Sequence, residues 1–141
     1  MSFKNIESFN PSTCISGKVM RLNRITGNIF RKYLSPFGIT DSQTSIMFVL
    51  SKHEDGLIQN QIATIVQLEK STLSRNLRRL MEQGYLKKND ASKIAITYEG
   101  KQLIEKVIPE WQKAMDEIRS YIGQDGEEAL STLLNNLINH K

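Results

Sequence analysis

The 141-residue chain has one cysteine, two histidines and three prolines. With a single thiol, Cys14, no internal disulfide can form, which agrees with a reducing compartment. His53 and His140 stand in no His-Glu-x-x-His pair, and there is no Cys-x-x-Cys pair or glycine-rich phosphate loop. Those absences argue against a metal site, a nucleotide cofactor and an enzyme. No apolar run approaches the roughly 18 residues that a membrane span needs. The first residues, Met1 to Ile6, hold no apolar stretch of the signal-peptide kind. The expectation is a cytoplasmic protein with no membrane partner and no cofactor.

What is present is a localised charge. The net charge is only +4, but residues 70–93 hold Lys70, Arg75, Arg78, Arg79, Lys87, Lys88 and Lys93 against Glu82 and Asp90. Residues 99–141 are net acidic. A compact basic patch on a mildly charged protein is what a phosphate-backbone partner requires, although charge runs are also common on solvated helix faces.

Apolar spacing reads as mostly helical. Val19, Leu22, Ile25, Ile29, Phe30 and Tyr33 recur at three- and four-residue steps, predicting a helix over 13–35 that ends at Ser35-Pro36-Phe37-Gly38. A second helix is expected over 41–53, capped by Asp41, with Ile46, Met47, Val49 and Leu50 buried. Helices follow over 59–66, with Ile62, Ile65 and Val66 inward, and over 69–83, with Leu73, Leu77, Leu80 and Met81 on one side. Gly84 ends the latter. Residues 85–88 and 93–97 read as a hairpin around Asn89-Asp90-Ala91-Ser92, with Ile94 and Ile96 alternating with Ala95. Thr97 caps a helix to about 122, which Pro109 is expected to kink and Gly123 to stop. Asp125 and Glu128 have capping-box spacing for a last helix carrying Leu130, Leu133, Leu134, Leu137 and Ile138.

The stretch 57–83 carries the functional signal. A short helix, the tight connection Gln67-Leu68-Glu69 and a second helix make a helix-turn-helix. With Leu73, Leu77 and Leu80 inward, the second helix turns Ser71, Thr72, Ser74, Arg75, Asn76, Arg78 and Arg79 outward, with Lys70 at its start. Arg binds guanine bidentately, Asn binds adenine, and hydroxyls reach bases or phosphates. An exposed helix without a partner more often mixes Glu and Lys at i,i+4. Lys87, Lys88 and Lys93 on the following hairpin suit a wing lying on the DNA backbone or in the minor groove. The rival reading is a protein-binding adaptor on the same scaffold.

Taken together, four segments resemble the MarR family of bacterial regulators: Leu57 to Ala63, Leu68 to Arg75, Leu80 to Leu86 and Ile96 to Gly100. Gly38-Ile39-Thr40-Asp41-Ser42-Gln43 is similar to the start of that family's second helix. The resemblance covers nearly the whole chain. It implies a mainly α fold: a winged helix-turn-helix lobe over 41–97 with a small β-hairpin wing, in a single domain spanning 1–141. The N- and C-terminal helices, 13–35 and 98–141, would form the dimerisation region. It also implies a homodimer, usually a repressor, on a pseudo-palindromic double-stranded DNA operator. A small aromatic or lipophilic acid would be the effector, in a pocket that Met20, Phe30, Phe48 and Trp111 could line.

Three departures from the family stand out. The wing tip is short and lacks the family's Arg. Val66-Gln67 occupies a bend where Gly is frequent. Ile58 stands where a capping hydroxyl is favoured. Peroxide-sensing relatives keep a reactive Cys near the first helix, so Cys14 is a candidate redox site. Aligned on Gly38-Ile39-Thr40, however, Ser16 stands closer to the sensing position, and the activating tyrosines are replaced by residues such as Met20 and Phe30.

Overall fold

The computed structural model describes residues 2–140. A one-turn helix, α1 (Lys4–Ser8), and a 3-10 turn at Pro11–Thr13 precede α2 (Ile15–Leu34). The turn from Ser35 to Phe37 leads to α3 (Asp41–Ser51), α4 (Gln59–Val66), α5 (Lys70–Glu82), the hairpin β1 (Leu86–Lys88) and β2 (Ile94–Ile96), and α6 (Tyr98–Asn139). The mainly helical, winged helix-turn-helix architecture expected from the sequence is present. The one-turn helix α1 was not anticipated.

The core lies between α3, α5, the hairpin and the start of α6. Ile46, Met47, Leu50, Ile62, Leu73 and Leu80 are fully buried there. Each such side chain contributes roughly 1.5–3 kcal/mol relative to exposure. Two burial expectations were wrong, Ile65 inward and Ala95 outward. Ile65 is half exposed on α4, because Ile62 and Val66 already fill the side that meets α5. Ala95 is buried along with Ile94 and Ile96, because the turn at Gly56 covers the second face of β2. Gly56 has φ +83°, and a Cβ there would come within 2.6 Å of the Ile94 carbonyl oxygen.

The helix ends follow local hydrogen bonding. Thr40, not Asp41, caps α3: its hydroxyl accepts from Gln43 N, and Gln43 Oε1 accepts from Thr40 N in return. Asp41 is the first helical residue, where its carboxylate suits the helix dipole. At α4, Gln61 Oε1 accepts from Ile58 N, but Ile58 has no side-chain oxygen to return the bond. Gln67 occupies the left-handed conformation (φ 57°, ψ 47°) in the bend, a geometry that glycine adopts most readily. Gly84 (φ +85°) ends α5, and Tyr85 N bonds back to Leu80 O.

Leu86 pairs with Ile96, Lys87 with Ala95 and Lys88 with Ile94, antiparallel. Leu57 forms a bridge to the far side of Ile94. Thr97 caps α6 as expected, accepting from Gly100 N at 3.0 Å. Backbone angles stay helical through Pro109, and the break comes at Gly123 (φ 68°, ψ 179°). The Asp125/Glu128 cap does not form. Glu128 accepts from Gln124 Nε2, and Glu127 pairs bidentately with Arg119 across the break.

Helix α2 packs along α6. Glu117 Oε1 receives Lys32 Nζ at 2.5 Å and Tyr33 Oη at 2.6 Å. These bonds, Lys32 foremost, hold the Glu117 carboxyl below the usual carboxylate range. The same contact, helped by the nearby Glu117 charge, raises Lys32. No helix among the described residues is long and apolar enough to cross a membrane.

Candidate nucleic-acid interface

Helix α5 divides cleanly. Leu73, Leu77 and Leu80 are at most 2% exposed, so the rotation of the helix about its axis is fixed. On a 3.6-residue repeat, Ser71, Arg75 and Arg78 then occupy the opposite side, and all three are exposed. Lys70, Ser74 and Arg79 are exposed on its flanks, and Thr72 is partly covered. Among the described residues, no carboxylate pairs with Lys70, Arg75, Arg78, Arg79, Lys87, Lys88 or Lys93. Those cations are therefore available to an external anion.

Two residues of α5 have internal partners that their sequence positions do not reveal. Asn76 is partly buried. Its Oδ1 accepts from Gln43 Nε2 at 3.3 Å, and its Nδ2 donates to Thr72 O at 3.1 Å. Ser74 Oγ accepts from Gln59 Nε2 at 2.5 Å. The capping role of Gln43 was signalled by its spacing from Thr40. Nothing in the sequence announced that Gln59 reaches α5.

The wing is pinned by Asn89. Its Oδ1 accepts from Ala91 N and Lys93 N, and its Nδ2 donates to Asp55 O at 3.0 Å. Lys87 and Lys93 line an open cavity of about 530 Å³ that Glu54, Asp55 and Lys101 also border. Lys88 is exposed and lies outside that cavity, away from its carboxylates.

A smaller cavity, about 210 Å³, lies where α2, α3 and α6 meet. Phe30, Phe48 and Trp111 line it, with Thr44 and Asp41 among its polar groups, and Phe48 meets Trp111 edge to face at 5.8 Å. Met20, expected with the aromatics, is not part of the lining and is half exposed. Cys14 is exposed and caps α2, its Sγ accepting from Gly17 N at 3.3 Å.

Residues 37–93, which contain α3, the helix-turn-helix and the wing, match the MarR family. No curated protein sequence matches the chain. Among solved structures, it is similar to the transcriptional regulator MosR of M. tuberculosis in complex with DNA. The two are 24% identical over 85% of this chain and 94% of that one, with a TM-score of 0.73. It is also similar to CouR from Rhodococcus jostii RHA1 bound to p-coumaroyl-CoA (20% identity, 94% and 96% of the two chains, TM-score 0.79). The reduced form of MarR from E. coli gives 18% identity over 96% and 98% of the chains, with a TM-score of 0.71. At these identities the likeness is one of fold. The match over 37–93 and the shared fold make this chain similar to the MarR family in that stretch, and like these solved structures in its winged helix-turn-helix fold.

Proposed function

We propose that the protein is a sequence-specific double-stranded DNA-binding regulator, a ligand-responsive repressor that acts as a homodimer on a pseudo-palindromic operator. The observation that carries this reading is the unpaired, carboxylate-free side of α5, held outward by three buried leucines. Arg75 and Arg78 supply forks for guanine, while Lys70, Lys88 and Lys93 supply backbone charge. MosR has been solved on DNA with this fold.

Dimerisation is supported by apolar surface that the single chain leaves uncovered. Ile15, Leu22 and Ile25 on α2 and Leu130, Leu134 and Leu137 on α6 are each more than half exposed. Contiguous exposure on this scale is unusual for a monomer, and symmetric dimers are the commonest assemblies. A two-fold axis among these helices would present two copies of α5 to successive major grooves. Responsiveness to an effector is supported by the aromatic-lined cavity, which touches both α2 and α3. CouR, of the same fold, has been solved bound to p-coumaroyl-CoA.

Selection of bound sites from random duplex, followed by footprinting and sedimentation of the complex, tests the reading. It predicts a two-fold symmetric site carrying two chains. Recovery of random sequence, or capture of no duplex, would point instead to a protein-binding role.

A further inference from the structure

The amide that completes the reading surface comes from α4. Adenine is the one base that presents an adjacent donor and acceptor, N6–H and N7, on its major-groove edge; guanine offers two acceptors there. A carboxamide matches that pair only if it keeps one oxygen and one N–H free. Asn76 is tied inward on both sides: its oxygen already accepts from Gln43 on α3, and one N–H goes to Thr72 O on its own helix.

Gln59 keeps one of each free. It stands in the first turn of α4, partly exposed, and spends a single Nε2 hydrogen on Ser74 Oγ. Among the described residues no hydrogen bond uses its Oε1, and its second N–H is free. Ser74 is exposed next to Arg75 and one turn before Arg78, so the bond draws the Gln59 amide to the edge of the row that faces outward.

We propose that Gln59 is a specificity-determining residue that reads an adenine in the major groove through Oε1 and its remaining Nε2 hydrogen, with Ser74 as the residue that positions it. This rests on the DNA-binding reading above. The Ser74 hydroxyl oxygen accepts from the amide and so orients it. Arg78 keeps its guanidinium fork for a neighbouring base, and Arg75 spends one Nη2 hydrogen on Thr72 Oγ1 at 3.4 Å and keeps the rest of its donors.

The test uses the full chain and the site selected by the wild-type protein. Competition binding is measured with duplexes substituted one base pair at a time. Gln59→Ala should abolish discrimination at one A·T pair in each half-site, a loss of roughly ten-fold or more at that position alone. Gln59→Glu, which can only accept, should move the preference at the same position toward cytosine, whose N4 donates. Ser74→Ala should weaken discrimination at that position by a larger factor than it weakens binding to random duplex. Unaltered melting temperatures accompany each variant if folding is intact, and the Glu variant keeps the proposal testable even if the Ala variant loosens α4. Equal losses on every duplex would reassign Gln59 to a phosphate, and unchanged discrimination in both Gln59 variants would remove it from the interface. Either result overturns the proposal while the DNA-binding reading stands. Failure of the wild-type protein to select any site overturns both.

Discussion

Gln43 Nε2 donates to Asn76 Oδ1 at 3.3 Å, and by that bond the first turn of α3 holds the middle of α5. Gln43 is 4% exposed and its Oε1 also caps α3, so one buried amide sets both a helix start and the seating of the DNA-facing helix. Gln43→Leu should leave Thr40 N and Asn76 Oδ1 without partners and cost about 1–3 kcal/mol of stability. The double change with Asn76→Leu should cost less than the sum of the single changes, because each single change orphans the other amide. A denaturant-melt cycle reads this directly, and strict additivity would show that the two amides are not coupled.

Arg75 lies at the centre of the exposed row of α5. Arg75→Ala should reduce affinity for the selected site by about 1–3 kcal/mol more than for random duplex. Equal reductions would assign Arg75 to phosphate. Lys88→Ala should weaken binding to both duplexes alike and lower the salt slope by about one unit.

Most of the fold was legible because burial and periodicity coincide. Leu73, Leu77 and Leu80 mark the core side of α5, and the residues left over mark its outer side. The α6 break at Gly123 rather than Pro109 was not foreseen as the sole interruption, since a helix accommodates proline where its carbonyl partner can bend toward water. The candidate interface was less legible. Exposure of Ser74, Arg75 and Arg78 follows from spacing, but the capture of Asn76 by Gln43 and of Ser74 by Gln59 depends on how α3 and α4 cross α5. Residues 33 positions apart, or 15 apart across a bend, carry no local signature of such bonds.

The Glu117 cluster ties α2 to α6, and its pH dependence has a definite sign. Glu117 is held below its ordinary value of 4.5, mainly by the hydrogen bond from Lys32, so its contribution is present above that pH and is lost as pH falls through the folded value. Lys32 is raised above 10.5, so its contribution is complete below that value and is lost as pH rises through the folded one. Glu117→Gln should therefore lower the melting temperature at pH 7 and approach wild type as pH falls through the depressed Glu117 value. A gap that does not depend on pH would show that the charge has no part in it.

Leu134 and Leu137 are 53% and 61% exposed on the last part of α6. Replacing both with Glu should shift sedimentation from dimer to monomer and abolish binding to a two-half-site duplex, while the fold of the lobe, read by circular dichroism, is kept. A dimer that persists would place the two-fold axis elsewhere.

Affinity for the selected duplex and for a scrambled one, followed from low to high salt, tests the central claim most directly. Unpaired cations on α5 and the wing predict a linear fall of log K with log[salt] for both, with the selected duplex bound at least 1,000-fold more tightly at a given salt. Equal, salt-insensitive binding of the two, or no binding to either in dilute buffer, would contradict it.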